Sequence, residues 1–367
     1  MNKGNSKSTA QYKTGDLIYK NTFLGVPGPG WLNLSTTQTV YTQSSLGKLL
    51  PQYSFWTTQT SQFGATNIYS VAYGNGIFVA GGAGGTLRTS TDAINWNTQT
   101  SQFGATSINA VAYGNGTWVA GGGSGTLRTS TDAVNWNTQT SQFGTSAINA
   151  VAYGNGIWVA VGGIVGTLRT STDNGVTWNT QTSQFGTSTI NAVAYGNGIF
   201  VAGGGTAGVA GTLRTSTDAI NWNTQTSTFG TFAIQSVAYG NGTWVAGGGT
   251  GGAAGVLRTS TDNGVTWNTQ TSTFGTSIIY AVAYVNNTWV AGGAGGALRT
   301  STDNGVTWNI QTSGFGANSI SSIAYNNQTL VDVGQSGTLR ILNFANPTYP
   351  VLPIASIPTG YTPWIKT

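Results

Sequence analysis

The sequence predicts an all-β protein whose main body is a seven-bladed β-propeller of four-stranded antiparallel blades. Three observations lead there. A tryptophan recurs at Trp56, Trp96, Trp136, Trp178, Trp222, Trp267 and Trp308, a spacing of 40 to 45 residues that accommodates one small sheet per repeat. Glycine supplies 56 of the 367 residues and charged side chains only 6%, a balance that suits short strands and tight turns better than helices. Each repeat also alternates β-type segments with Asn-Gly or glycine-rich turns.

The second repeat shows the pattern. Ile108 to Tyr113 alternates apolar and small residues, Gly114 to Gly116 supplies a hairpin turn, and Thr117 to Ala120 returns. After a glycine-rich loop come a third strand, Thr126 to Thr131, a turn around Asp132, and a fourth strand, Trp136 to Thr140. The seventh repeat lacks its last strand, because the pattern stops at Asn343. Conversely, the segment 55–60 carries the first tryptophan and has no repeat of its own. It is therefore expected to complete the seventh blade beside Leu339 to Leu342, closing the ring and covering two open sheet edges. The propeller spans 55–343 on this reading.

The flanks differ in character. Residues 1–14 are polar, with too little apolar surface to offset ordering, and are expected to form a mobile arm. Residues 15–54 and 344–367 form a small base made by both chain ends. The opening Gly15, Asp16, Leu17 and Ile18, the Pro29-Gly30-Trp31-Leu32 step, and Val40, Tyr41 and Leu46 to Leu50 resemble the N-terminal part of phage tail-collar domains. Leu352 and Pro353, followed by Trp364, Ile365 and Lys366, resemble the other end of such a domain. The resemblance implies a bacteriophage virion protein, a tail fibre or related appendage, joined through its base to other virion proteins. A closed ring returns its ends to neighbouring positions, so it can be inserted in a smaller domain.

The turn before each tryptophan is similar to the Asp box (BNR-type repeat) of sialidases and related propellers, Ser-x-Asp-x-Gly-x-Thr-Trp. Three copies match in full, at Ser171 to Trp178, Ser260 to Trp267 and Ser301 to Trp308, while those at Asp92, Asp132 and Asp218 are one residue shorter and lack the glycine. The family implies a folding role for Asp92, Asp132, Asp173, Asp218, Asp262 and Asp303, capping backbone amides above a packed tryptophan.

The composition excludes much chemistry. With no Cys, His or Glu there are no thiol nucleophiles, imidazole bases or usual zinc ligand sets, and no metal or cofactor is expected. Outside the six turns only Asp16 and Asp332 carry carboxylates, far apart in the chain, so a glycosidase pair is hard to assemble and no enzyme is expected. The net charge of +5 does not imply nucleic acid, because the seven arginines occupy one equivalent position per repeat. Membrane insertion is not expected either, since no apolar run reaches spanning length.

Each arginine follows a leucine in the third strand. Two readings stay open: it lies over a neighbouring tryptophan or bridges adjacent blades, or it belongs to a guanidinium ring that meets anionic glycans. The residues Phe78, Trp118, Trp158, Phe200, Trp244 and Trp289 are read as inter-blade core. Recognition is assigned to the loops between second and third strands, which differ most: Ile164 and Val165, Thr206 and Val209 within Gly203 to Gly211, and Thr250 and Ala253 within Gly247 to Gly255. The expected function is non-covalent adhesion of a virion to a host-surface glycan or protein, with several copies giving avidity. The alternative is a purely structural decoration or docking protein, and a homo-oligomer is compatible with both.

Overall fold

The computed structural model describes residues 17–21, 31–33, 56–163, 165–206, 211–252, 254–344 and 361–366. The expectations for the arm, for Pro29, Gly30, Val40, Tyr41, Leu46 to Leu50, Leu352 and Pro353, and for Ile164, Val209 and Ala253 lie outside the described residues. The chain divides into two compact units, Met1–Phe55 with Asn346–Thr367, and Trp56–Ala345. In the first, Tyr361–Lys366 is the central strand of a three-stranded antiparallel sheet between Leu17–Asn21 and Trp31–Asn33.

The second unit contains seven four-stranded antiparallel sheets, the blades of a propeller. In blade two the strands are Ile108–Gly114, Thr117–Gly122, Leu127–Ser130 and Asn137–Gln139, in that spatial order. Blade seven consists of Ile320–Tyr325, Thr329–Gly334 and Leu339–Asn343, completed by Thr57–Thr58 from the other end of the unit. Thr57 pairs with Ile341 and Thr58 with Arg340, and the Gln59 N–H donates to the Leu339 carbonyl at 3.0 Å. The ring closes as the strand count predicts.

The core lies between blades. The second-strand aromatics Phe78, Trp118, Trp158, Phe200, Trp244 and Trp289 are fully buried, and each packs within a cluster drawn from two neighbouring blades. Burying so large a ring removes 150–250 Å² of surface from water and is worth roughly 1.5–3 kcal/mol or more per side chain. A tyrosine of the first strand tilts against this aromatic within its blade, as in Tyr113 and Trp118 at 4.9 Å between ring centroids. Close approach between blades requires Gly114, because any Cβ there would overlap the ring of Tyr153 from blade three.

Candidate functional site

The two faces of the ring are built differently. On one face lie the first hairpin of every blade and the aspartate turns of the first six. In a short turn, Asp132 Oδ1 accepts from the N–H groups of Val134 and Asn135 at 2.9 and 2.8 Å, and Oδ2 accepts from the Asn135 side chain at 2.8 Å. In a full turn, Asp173 accepts from the Thr177 N–H at 2.9 Å and from its hydroxyl at 2.6 Å. In both, the tryptophan indole donates to the turn, Trp136 to the Ala133 carbonyl and Trp178 to the Gly175 carbonyl.

These bonds stabilise the charged carboxylates. For Asp92, burial works upward, but donors from Asn95, Ile94 and Ser90 prevail and hold the group down to about 2. Asp132 and Asp218 are likewise held low, chiefly by backbone and side-chain donors of the asparagine three residues on. Asp173, Asp262 and Asp303 are lowered by the hydrogen bonds of their threonines against burial. Every one of the six carboxylates is thus engaged within its own turn. The extra residue of the full turns has a second use. Asn174, Asn263 and Asn304 each accept from an asparagine in the first hairpin of the preceding blade, at 2.7–2.8 Å.

The arginines tie each blade to the connection arriving from the blade before. Arg128 donates twice to the Gln102 carbonyl and once to that of Leu127, and its guanidinium lies 5.2 Å from the Phe103 ring. Of the alternatives left open by the sequence, the bridge between blades is the one seen, and the stacking partner is this connection phenylalanine, not a tryptophan; six blades repeat the contact at 4.9–5.3 Å. The tryptophan is already spent in its own turn, which leaves the connection to supply the ring. Burial lowers the pKa of all seven arginines.

The loops between second and third strands share the opposite face with the inter-blade connections: the Ser141 hydroxyl of one connection donates to the Gly125 carbonyl of a loop. Four of these loops are single 3-10 turns, Ala83–Gly85, Gly123–Gly125, Ala294–Gly296 and Gln335–Gly337. Blades three, four and five, which are consecutive, carry longer connections. In blade five the connection expected at Gly247 to Gly255 is mostly strand, because pairing continues through Gly248 with Val256 to Thr250 with Ala254. Val165 is exposed at 59%, Thr206 is exposed, and Thr250 is half-buried with a hydroxyl that has no partner.

On the ring axis the structure assembles residues that the periodic reading overlooks. Strand pairing in blade two passes from Ile108 opposite Gly122 directly to Ala110 opposite Gly121, leaving Asn109 as the extra residue of a β-bulge. The same bulge occurs in every first strand. The bulged residues line an axial cavity of about 210 Å³: Tyr69 from blade one, Asn109, Asn149 and Asn191, Gln235, Tyr280 and Ser321. Among the described residues no charged side chain lines it.

Three of these amides also join blades. The Nδ2 groups of Asn109, Asn149 and Asn191 donate to the carbonyls of Ile148, Ile190 and Ile234, each in the next blade, at 3.1, 3.0 and 2.9 Å. Asn191 additionally reaches the Gly205 carbonyl, at the start of the long loop of blade four, at 3.3 Å. One residue further on, Ser70, Ser236 and Ser322 accept from the N–H of Val111, Val282 and Val71 at three other junctions. The bulge escapes a search for residues common to all repeats because its residue is Tyr, Asn, Gln or Ser depending on the blade.

Asp332 is the remaining carboxylate among the described residues. It is fully buried, neither oxygen has a partner, and burial pushes its pKa well above the usual carboxylate range. Among the described residues no group of three His, Cys, Asp or Glu could hold a metal, and no helix is long and apolar enough to cross a membrane.

No protein-family model and no curated protein matches the chain. Solved structures do match its shape. It is similar to "YCF48 bound to D1 peptide", with a TM-score of 0.62 and 16% identity over 79% of this chain and 94% of that one. YCF48 from Cyanidioschyzon merolae gives 0.61 at 15% identity, covering 80% and 99%. The WD40 propeller domain of Doa1 gives 0.60 at 14%, covering 79% and 95%. At these identities the likeness is one of fold, and the seven-bladed propeller is what it shows.

Proposed function

We propose that the propeller is a non-enzymatic recognition module of a bacteriophage virion, displayed on a tail-collar-like base for adhesion to glycans of a host surface. One observation carries the recognition role. Among near-identical blades, the face that carries the axial bulges, whose residues vary, also carries the connections that differ most in length, those of blades three to five. A rigid ring with one variable face has the organisation of a binding surface. The charged groups of the repeats are engaged in structural bonds, the aspartates in their turns and the arginines with the connections.

The virion setting is supported by the resemblance of both chain ends to tail-collar segments, and pairing of Leu17–Asn21 and Trp31–Asn33 with Tyr361–Lys366 is compatible with it. Several copies per particle would convert shallow contacts into firm attachment. The test is binding of the labelled full chain to a panel of bacterial cells and to their extracted surface polysaccharides, with soluble sugars as competitors. Saturable, competable binding is expected. A folded protein that binds none of them would favour a structural decoration or a docking platform for other virion proteins.

A further inference from the structure

The axial mouth combines two chemistries on opposite arcs. Blades two to five present carboxamides, Asn109, Asn149, Asn191 and Gln235, whereas blades six, seven and one present Tyr280, Ser321 and Tyr69. In the three asparagines the inter-blade bond uses one amide N–H, or both in Asn191, which fixes the orientation of the amide. Their Oδ1 atoms take no hydrogen bond from the described residues. They are therefore acceptors held by the ring itself, open to the donors of a matching ligand.

We propose that this mouth is a saccharide subsite that takes the terminal residue of a neutral, hydroxyl-rich glycan. Sugar hydroxyls donate to the asparagine oxygens, Gln235 offers both a donor and acceptors, and the C–H faces of the pyranose meet the tyrosine rings. The cavity volume of about 210 Å³ falls below the roughly 300–1,000 Å³ of sites for drug-sized ligands, which fits one sugar unit with the rest of the chain outside. Neutrality follows from the lining. A sialic acid, uronic acid or phosphorylated sugar would be desolvated there without a countercharge.

On the carboxamide arc, Asn191 is also tied to the Gly205 carbonyl at the start of the blade-four connection. The saccharide assignment rests on the reading of the propeller as a glycan-binding module.

The experiment uses the full chain and a panel of neutral methyl hexopyranosides and N-acetylhexosaminides, with sialic acid and glucuronic acid as anionic probes, followed by saturation-transfer NMR. Extracted bacterial polysaccharides are titrated in parallel. The two variants are Gln235→Ala and Tyr280→Ala, because neither side chain makes a hydrogen bond that joins blades; unchanged thermal unfolding verifies the fold. At least one neutral glycoside is expected to bind, with affinity reduced about tenfold or more in each variant. Equal binding by both folded variants would overturn the axial subsite and leave glycan adhesion standing. Binding of the anionic probes alone would overturn it in favour of an arginine-lined surface. No binding of any saccharide or polysaccharide would overturn both readings.

Discussion

Blade seven and the six blades before it solve the same packing problem with different residues. In the regular blades a glycine closes the first strand and receives the tyrosine of the next blade, as Gly114 receives Tyr153. At the junctions on either side of blade seven the equivalent positions hold Val285 and Asn326. Tyr325 turns to Phe344 instead, edge-on at 5.7 Å. Leu330 replaces the buried aromatic, Asp332 replaces a buried alanine, and Arg340 donates to the Gly314 and Trp56 carbonyls without the arginine–phenylalanine contact of the other six. The repeated blades are held by a shared formula, whereas the closing blade is held by local arrangements and by a two-residue strand from the far end of the unit.

The largest expected difference concerns the aromatic position. Trp289→Ala in blade six should destabilise the protein by about 3–5 kcal/mol in urea unfolding. Trp289→Phe should cost much less, because its buried indole N–H has no partner and phenylalanine already stands there in blades one and four. A loss in the Phe variant as large as in the Ala variant would show that the site requires the indole itself and not merely a buried aromatic ring.

Next comes the orphan carboxylate. Asp332→Ala restores the residue found in the other blades and should stabilise the protein by about 1–3 kcal/mol at neutral pH. The gain depends on pH. A buried carboxyl with a raised folded-state pKa carries no ionisation penalty below the unfolded value near 3.8, and that penalty grows as pH rises through the interval up to the folded value. The variant's advantage in melting temperature should therefore shrink as pH falls toward 4. Asp92 acts with the opposite sign: its contribution is present above 3.8 and is lost as pH falls toward about 2.

A third substitution addresses closure. Gln59→Pro removes the N–H that donates to the Leu339 carbonyl and should cost about 1 kcal/mol or slightly more. Hydrogen exchange should accelerate in Leu339–Asn343 while the strands of blade three remain protected. Uniform acceleration around the ring would mean that the blades open as one cooperative unit.

The smallest difference is in the arginines. A double-mutant cycle on Arg128 and Phe103 should give a coupling of about 0.5–1 kcal/mol. The equivalent cycle on Arg340 and Phe315 should give a value near zero.

Much of this was legible in the sequence because the repeat averages out noise: the blade count, the strand order and the closure by residues near Trp56 all follow from the spacing of tryptophans and one missing strand. What repetition conceals is whatever depends on partners outside the repeat unit. That Phe103 rather than a tryptophan lies under Arg128 depends on how the inter-blade connection crosses the third strand. The loop expected in blade five pairs as a longer hairpin because glycine does not block a strand when its partner continues. Asp332, read only as an isolated acid, is a core residue whose position becomes apparent when it is aligned with the alanines of the other blades.

The bulge in each first strand has an evolutionary consequence. It removes one side chain per blade from the pairing register, so a change at that codon can alter the mouth while the surrounding ladder keeps its bonds. Seven such codons on an otherwise constant frame act as an editable address, and drift or selection can rewrite it one letter at a time. Where the letter is asparagine the edit also removes a clasp between blades, so the serine and tyrosine positions are the ones free to vary at least cost.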